Sequence, residues 1–188
     1  MVVTELEKPK LATLAAFDIK DGIPHSVQDQ WPSPNGDFGY RWLHLDLNDP
    51  ALEVWADAHL PPIARHALLQ SETRPRCERL GDGLILHLRG VNLNPGSDPE
   101  DMVSLRMWIT KDGIVSTRKR KIWALDAIRQ AAEDGKAPET IGRFLADVTH
   151  GLTTRIETVS LDLEDQTDAM EQMALEGEFL TPGQLASM

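Results

Sequence analysis

The chain has 188 residues, 41% of them hydrophobic, and its 30 acids against 19 bases give a formal net charge of −11. That length buries one substantial core with room for an appendage, while a surface so acidic repels nucleic acid and anionic lipid and concentrates cations. The single cysteine, Cys77, excludes an internal disulfide and a cysteine-based zinc cluster.

Residues 1–10 carry Glu5 and Glu7 and lack the basic start and apolar run of a signal peptide, so they read as a short solvated tail. No stretch approaches the ~18 to 20 consecutive apolar residues of a spanning helix, and the chain as given reads as soluble. Residues 11–19 form a first strand, after which Asp21-Gly22 and the Pro/Gly-rich stretch 31–39 punctuate the sequence. Residues 41–47 then alternate with period two. Leu43, Leu45 and Leu47 share one face, and Trp42, His44 and Asp46 share the other, which predicts a strand with one strongly apolar face.

Asp49-Pro50 opens a helix that runs to about residue 60. Pro61-Pro62 ends it and starts a second over 63–70. Strands are expected over 76–80, 83–91, 102–110 and 114–120, with the loop 92–101 in their midst and a hairpin at Asp112-Gly113. Helical spacing over 122–132 ends at Gly135. Strands and helices mixed in this order imply an α/β or α+β sandwich.

From 138 to 173 the pattern changes. Only Gly142 and Gly151 interrupt an apolar stripe of Ile141, Leu145, Val148, Leu152, Ile156, Val159, Leu163, Met170 and Ala174, spoiled at Thr167. Positions 141, 152, 163 and 174 repeat every eleven residues, which keeps the stripe on one side of a long, nearly straight helix. The opposite face is acidic: between 153 and 188 eight acids stand against Arg155 alone. Each acid by itself reads as a solvated residue, but Glu157, Asp162, Asp165, Asp168 and Glu171 together form a candidate cation-attracting surface. Thr181-Pro182-Gly183 breaks the helix and 184–188 starts another, so the chain is expected to stop in mid-element, as part of a longer protein.

Several side chains could ligate a metal. His44 and Asp46 share a strand face, as do His87 and Arg89, and neighbouring strands would bring two imidazoles and a carboxylate together; the alternative is an Asp46–Arg89 ion pair. His66 and Cys77 are a second pair of candidates, against an exposed helical histidine and a cysteine packed as a small apolar group. His150 and Asp147 could share a cation or a helix-surface hydrogen bond. The basic run Arg118-Lys119-Arg120-Lys121 reads as an anion patch or as partners for nearby acids. No phosphate-cradling glycine loop, nucleophile elbow or activated nucleophile occurs, so no enzyme activity and no bound cofactor are expected.

Ordered blocks carry a family resemblance. Glu72-Thr73-Arg74-Pro75-Arg76-Cys77-Glu78, Gly81-Asp82-Gly83, Leu88-Arg89-Gly90-Val91-Asn92-Leu93-Asn94, Pro99-Glu100-Asp101-Met102-Val103-Ser104-Leu105-Arg106, Ser116-Thr117-Arg118-Lys119-Arg120 and Asp162-Leu163-Glu164-Asp165 resemble the cytoplasmic domain of the ZntB-like branch of the CorA metal-ion transporter family. The match covers about 11–188. The resemblance implies an αβα sandwich with a mixed central sheet over 11–136, then a long helix of a helical funnel over 137–188, on the funnel's outer side. It implies a homopentamer in the full-length protein, anchored through membrane helices downstream, with this domain on the cytoplasmic side of the bacterial inner membrane.

The family's Gly-Met-Asn pore motif is not in this chain. The function implied is a regulatory and assembly domain of a transporter that moves zinc, or magnesium and other divalent cations. A free-standing acidic scaffold is the alternative of another class. Gly90 and Asn92 are expected at tight backbone turns, and the chain on its own is expected to be a monomer or weak oligomer.

Overall fold

Turn residues and strand alternation build most of one sheet. The computed structural model describes residues 11–27, 39–71, 73–97 and 101–175. The tail 1–10, most of the stretch 31–39, the break at 181–183 and the acids Glu176 and Glu178 lie outside the described residues.

Strands β1 (Thr13–Lys20), β2 (Ile23–Ser26), β3 (Tyr40–Asp46), β4 (Arg76–Leu80), β5 (Gly83–Gly90), β6 (Val103–Thr110) and β7 (Gly113–Arg118) form one sheet in the order β2-β1-β3-β7-β6-β5-β4. Only β3 and β7 run parallel, in register from Arg41↔Gly113 to Asp46↔Arg118; the other neighbours are antiparallel. The sheet is therefore mixed. The expected hairpin joins β6 to β7, but Gly113 already pairs with Thr110, so Lys111-Asp112 makes the turn. Asp21-Gly22, both at positive φ (51° and 78°), closes a β1–β2 hairpin that the strand reading missed. Pro24, and the exposure or half-burial of all four residues on an edge, give β2 little period-two signal.

Helices α1 (Leu52–His59) and α2 (Pro62–Leu69) cover one face, and α3 (Trp123–Glu133) and α4 (Ile141–Leu175) the other. Asp49 fixes the entry to α1 by accepting from the Ala51 and Ala12 amides, both at 2.8 Å. Pro62 opens α2, where a missing N–H costs nothing.

The α1/α2 core gathers Leu43, Leu45, Ile85, Trp108 and Val115 against Leu52, Trp55 and Leu68. The α3/α4 core gathers Phe17, Trp42, Leu105 and Met107 against Leu125, Phe144 and Val148. The expectation of one apolar face on β3 is corrected here. Trp42 and His44, on the supposed outer face, are 0% and 3% exposed, because a second helical layer covers them.

Phe144 is the residue that docks α4 to the sheet. Its ring meets Trp42 edge-on at 5.0 Å between centroids and Tyr40 at 6.4 Å. It stands beside the stripe read from the sequence, and only Val148 and Leu152 of that stripe are buried with it. Beyond Leu152 the stripe leaves the sheet, and Leu161 and Leu163 are 55% and 57% exposed. Thr167, the interruption in the stripe, turns its hydroxyl onto the Leu163 carbonyl at 2.8 Å.

Two glycines are set by close approach. A Cβ on Gly90 would come within 2.7 Å of a Leu152 methyl, so Gly90 is needed where α4 crosses β5 and not for a turn. Asn92 does make the expected turn, its Oδ1 accepting from the Asn94 amide at 3.2 Å. A Cβ on Gly83 would lie 2.1 Å from Cη2 of the buried Trp108 ring. Gly83→Ala is expected to cost about 1–3 kcal/mol through this overlap, read as a lower urea midpoint. Its additional cost in a Trp108→Leu background should fall close to zero; an equal cost in both backgrounds would rule the overlap out.

Candidate acidic surface for cations

The acidic surface follows from how α4 is anchored. With Phe144, Val148 and Leu152 seated on the sheet, residues 153–175 continue as helix, and their side chains are exposed or half-buried. At 1.5 Å per residue this extension is roughly 34 Å long. Glu157, Asp162, Asp165, Asp168 and Glu171 are all exposed on it, as is Glu164.

Turning about 100° per residue, Glu157, Glu164, Asp168 and Glu171 fall on the side away from the stripe, and Asp165 and Asp162 carry the acidic face round towards it. The run from 157 to 171 covers about 21 Å. The one base on the extension, Arg155, is turned back onto the Gly151 carbonyl at 2.7 Å. Among the described residues no acid of this surface takes part in an ion pair.

These carboxylates are strung along the helix rather than gathered around one point. Among the described residues no group of three or more His, Cys, Asp or Glu side chains is placed to hold a metal ion. Exposed carboxylates strung along a helix generate a negative potential, screened over about 8–10 Å at physiological salt.

The discrete metal candidates are not brought together. β7 and β6 separate β3 from β5, which puts the His44 and His87 strands roughly 14 Å apart. The two imidazoles also lie on opposite faces. His44 stands with Trp42 towards α3/α4, whereas His87 pairs across to Arg106 on the α1/α2 face. Burial, with Arg118 adding to it, pushes the His44 imidazole down to about 3. Burial, helped by Arg76 and Arg106, pushes His87 down to about 4.

The Ser116 hydroxyl donates to the Leu43 carbonyl at 3.1 Å and accepts from Trp42 Nε1 at 3.0 Å. The 2.9 Å contact to His44 Nδ1 therefore takes a proton from the imidazole, so His44 is a satisfied core histidine. Asp46 and Arg89 do not pair. Asp46 accepts from the Asn48 amide, and Arg89 donates to the Thr73 carbonyl.

Cys77 is exposed on the edge strand β4, which corrects the expectation that it packs as an apolar group. His66 meets Gln70 at 3.0 Å on the surface of α2. Asp147 pairs with Arg143 at 2.9 Å.

The basic run is largely tied to acids. Arg120 reaches Asp101 at 3.2 Å, and Lys121 reaches Asp126 at 2.9 Å while lying over the Trp123 ring. Burial raises the Asp126 carboxyl, but hydrogen bonds from Lys121 and Arg129 outweigh it and hold the group below the usual carboxylate range. One buried cation, Arg106, was not marked as a candidate by the sequence; a charge between two apolar neighbours on a central strand was the available signal.

Comparison with known proteins places this geometry. The family model for "CorA-like Mg2+ transporter protein" matches residues 37–182, from β3 through the rest of the sandwich and the whole of α4. The chain is 39% identical over 146 residues to the divalent cation transporter CmaX of Pseudomonas aeruginosa, covering 76% of this chain and 44% of that protein. It is 35% identical over 147 residues to the zinc transport protein ZntB of Yersinia enterocolitica, covering 77% of this chain and 45% of that one.

Among solved structures, the ZntB cytoplasmic domain from Vibrio parahaemolyticus superposes with a TM-score of 0.72 at 27% identity, over 86% of this chain and 65% of that one. The chain thus spans less than half the length of the two full-length relatives. No helix among the described residues is long and apolar enough to cross a membrane.

Proposed function

The chain belongs to the CorA-like Mg2+ transporter protein family, and from that premise we propose that it is the cytoplasmic regulatory and assembly domain of a divalent-cation transporter of the bacterial inner membrane. The observation that carries this reading is the acidic α4 extension, which leaves the sandwich with its apolar stripe only partly used. Zinc is the proposed ion, on the likeness to ZntB, with magnesium or another divalent cation as the second reading, on the family's description and the likeness to CmaX. The ion is cargo; no resident cofactor enters the reading.

In the full-length protein the exposed stripe of α4 packs in a homopentamer, with 1–10 as a solvated tail, 11–136 as the sandwich and 137–188 as the funnel helix and its continuation. The carboxylates Glu157, Asp162, Asp165, Asp168 and Glu171 then act together. A pathway for hydrated cations needs a negative potential that is favourable and diffuse, since tight ligation would hold the ion back.

The test uses the full-length transporter in liposomes. Glu157→Gln, Asp165→Asn and Asp168→Asn combined are expected to lower zinc flux about 3- to 10-fold at low ionic strength. The difference should shrink as salt screens the field. Flux and salt dependence equal to those of the unaltered transporter would overturn the proposal, and competition between zinc and magnesium in the same assay separates the two ion readings.

A further inference from the structure

The face of the sheet turned away from α4 holds a charge for which the acidic helix gives no account. Arg106 stands on β6, paired across to His87 of β5 and Thr117 of β7, and is only 2% exposed. Its Nη2 donates to the Ser71 carbonyl at 3.1 Å. Its Nε and Nη1 are buried and have no hydrogen-bond partner among the described residues. Burial lowers the guanidinium pKa, but from so high a start that the group stays charged at neutral pH. A buried cation with idle donors is costly unless something pairs with it. The Thr73 hydroxyl, buried close by at 5% residue exposure, is likewise unpartnered.

Both groups line one hollow of about 460 Å³ at the ends of β5 and β6. Arg89, Lys119 and Arg120 add three more cations to its wall, and among the described residues the one acid lining it, Asp101, is already taken by Arg120 at 3.2 Å. In a chain with a net charge of −11, the described residues around this hollow bring four bases against one acid.

The chemistry of the wall selects the ligand. Arginine and lysine N–H groups together with hydroxyls suit an anion that offers several acceptor oxygens in different directions. A halide would leave most of that volume, and some of those donors, unused.

We propose that this hollow binds a small oxyanion of the phosphate class, with Arg106 as its buried anchor, the Thr73 hydroxyl as a second donor, and Arg89, Lys119 and Arg120 as the cationic wall. The site lies on the α1/α2 face, so it stands or falls independently of the cation surface on α4.

Thermal melting of the 188-residue chain in inorganic phosphate, sulfate and chloride at matched ionic strength tests the site. Phosphate is expected to raise the midpoint above that in chloride, and sulfate, a tetrahedral oxyanion of like size, to do the same. Both ions also stabilise proteins generally, so the decisive arm is Arg106→Met. This variant should melt in chloride no lower than the parent, since an unpaired buried charge has gone, and should lose the extra stabilisation by phosphate.

Lys119→Gln, at an exposed position on the rim, should weaken phosphate binding about tenfold by titration calorimetry with the fold unchanged. Equal midpoints in phosphate and chloride, or a phosphate effect that survives Arg106→Met, would overturn the proposal. If Arg106→Met does not fold, a phosphate affinity unchanged by Lys119→Gln and by Arg120→Gln overturns it instead.

Discussion

Asp18→Ala is expected to destabilise the chain by about 3–5 kcal/mol, the cost of leaving one partner of a buried ion pair behind. Asp18 and Arg41 face each other directly across β1 and β3. Arg41 Nε donates to Oδ1 at 2.6 Å and Nη2 to Oδ2 at 2.7 Å, a two-point contact whose geometry a lysine would not reproduce. The side chains are 3% and 6% exposed, so solvent does little to screen the pair or to rehydrate a survivor.

The pair is not the source of net stability that its geometry suggests, because desolvating both charges offsets most of the attraction. Asp18→Leu combined with Arg41→Met should therefore recover most of what Asp18→Ala loses. Urea unfolding of the single and double variants decides the matter. A loss under about 1 kcal/mol for Asp18→Ala would mean that water reaches Arg41.

A second large effect is expected on acidification. The native imidazoles of His44 and His87 lie at about 3 and about 4, against about 6.5 in an unfolded chain. Both are therefore neutral in the native state at pH 5, where the unfolded chain has taken up a proton at each. Unfolding gains protons, so stability rises with pH across this window. The contribution is intact above about pH 6.5 and is lost progressively as the pH falls through the folded values.

Between pH 7.5 and 5.0 each imidazole accounts for a loss of about 2 kcal/mol, a large share of the ~5–15 kcal/mol typical of a domain. Relief of repulsion among the 30 acids works in the opposite direction, so the comparison between variants is the clean readout. His87→Leu should lower the difference between urea-derived stabilities at the two pH values by about 2 kcal/mol. A variant with the parent's pH dependence would show that His87 is already hydrated or charged in the native state.

These two results concern the sandwich, and they show why its polar core was hard to read. Asp18, Arg41, His87 and Arg106 lie on the α1/α2 face of the sheet and His44 on the α3/α4 face. They are buried because helices cover both faces. Whether His44 and Asp46 met His87 and Arg89 depended on strand order, and the β3–β7 parallel pairing, which no local pattern encodes, put two strands between them. Phe144 was missed for a related reason: a stripe drawn along all of α4 averages over the one turn where the helix meets Trp42, and there the contacting face is rotated towards Phe144.

What the sequence determined by itself is local. Asp49-Pro50, Pro61-Pro62 and Gly135 punctuated the helices, apolar runs, one period-two alternation and turn residues gave six of the seven strands, and an eleven-residue repeat with acids opposite gave a long helix carrying Glu157 to Glu171 on its exposed side. Those features depend on neighbours within a few residues, so they are legible wherever the chain runs. The ordered motif blocks carried the family as well.

The tertiary structure decided what depends on distant partners. It seats α4 by only three buried side chains and leaves its acidic stretch in solvent. It disperses the histidines onto opposite faces of the sheet, and it buries Arg106 with donors unmet. Burial and pairing between elements are set by the sheet order and the helical layers, and only the assembled fold brings those groups together or keeps them apart.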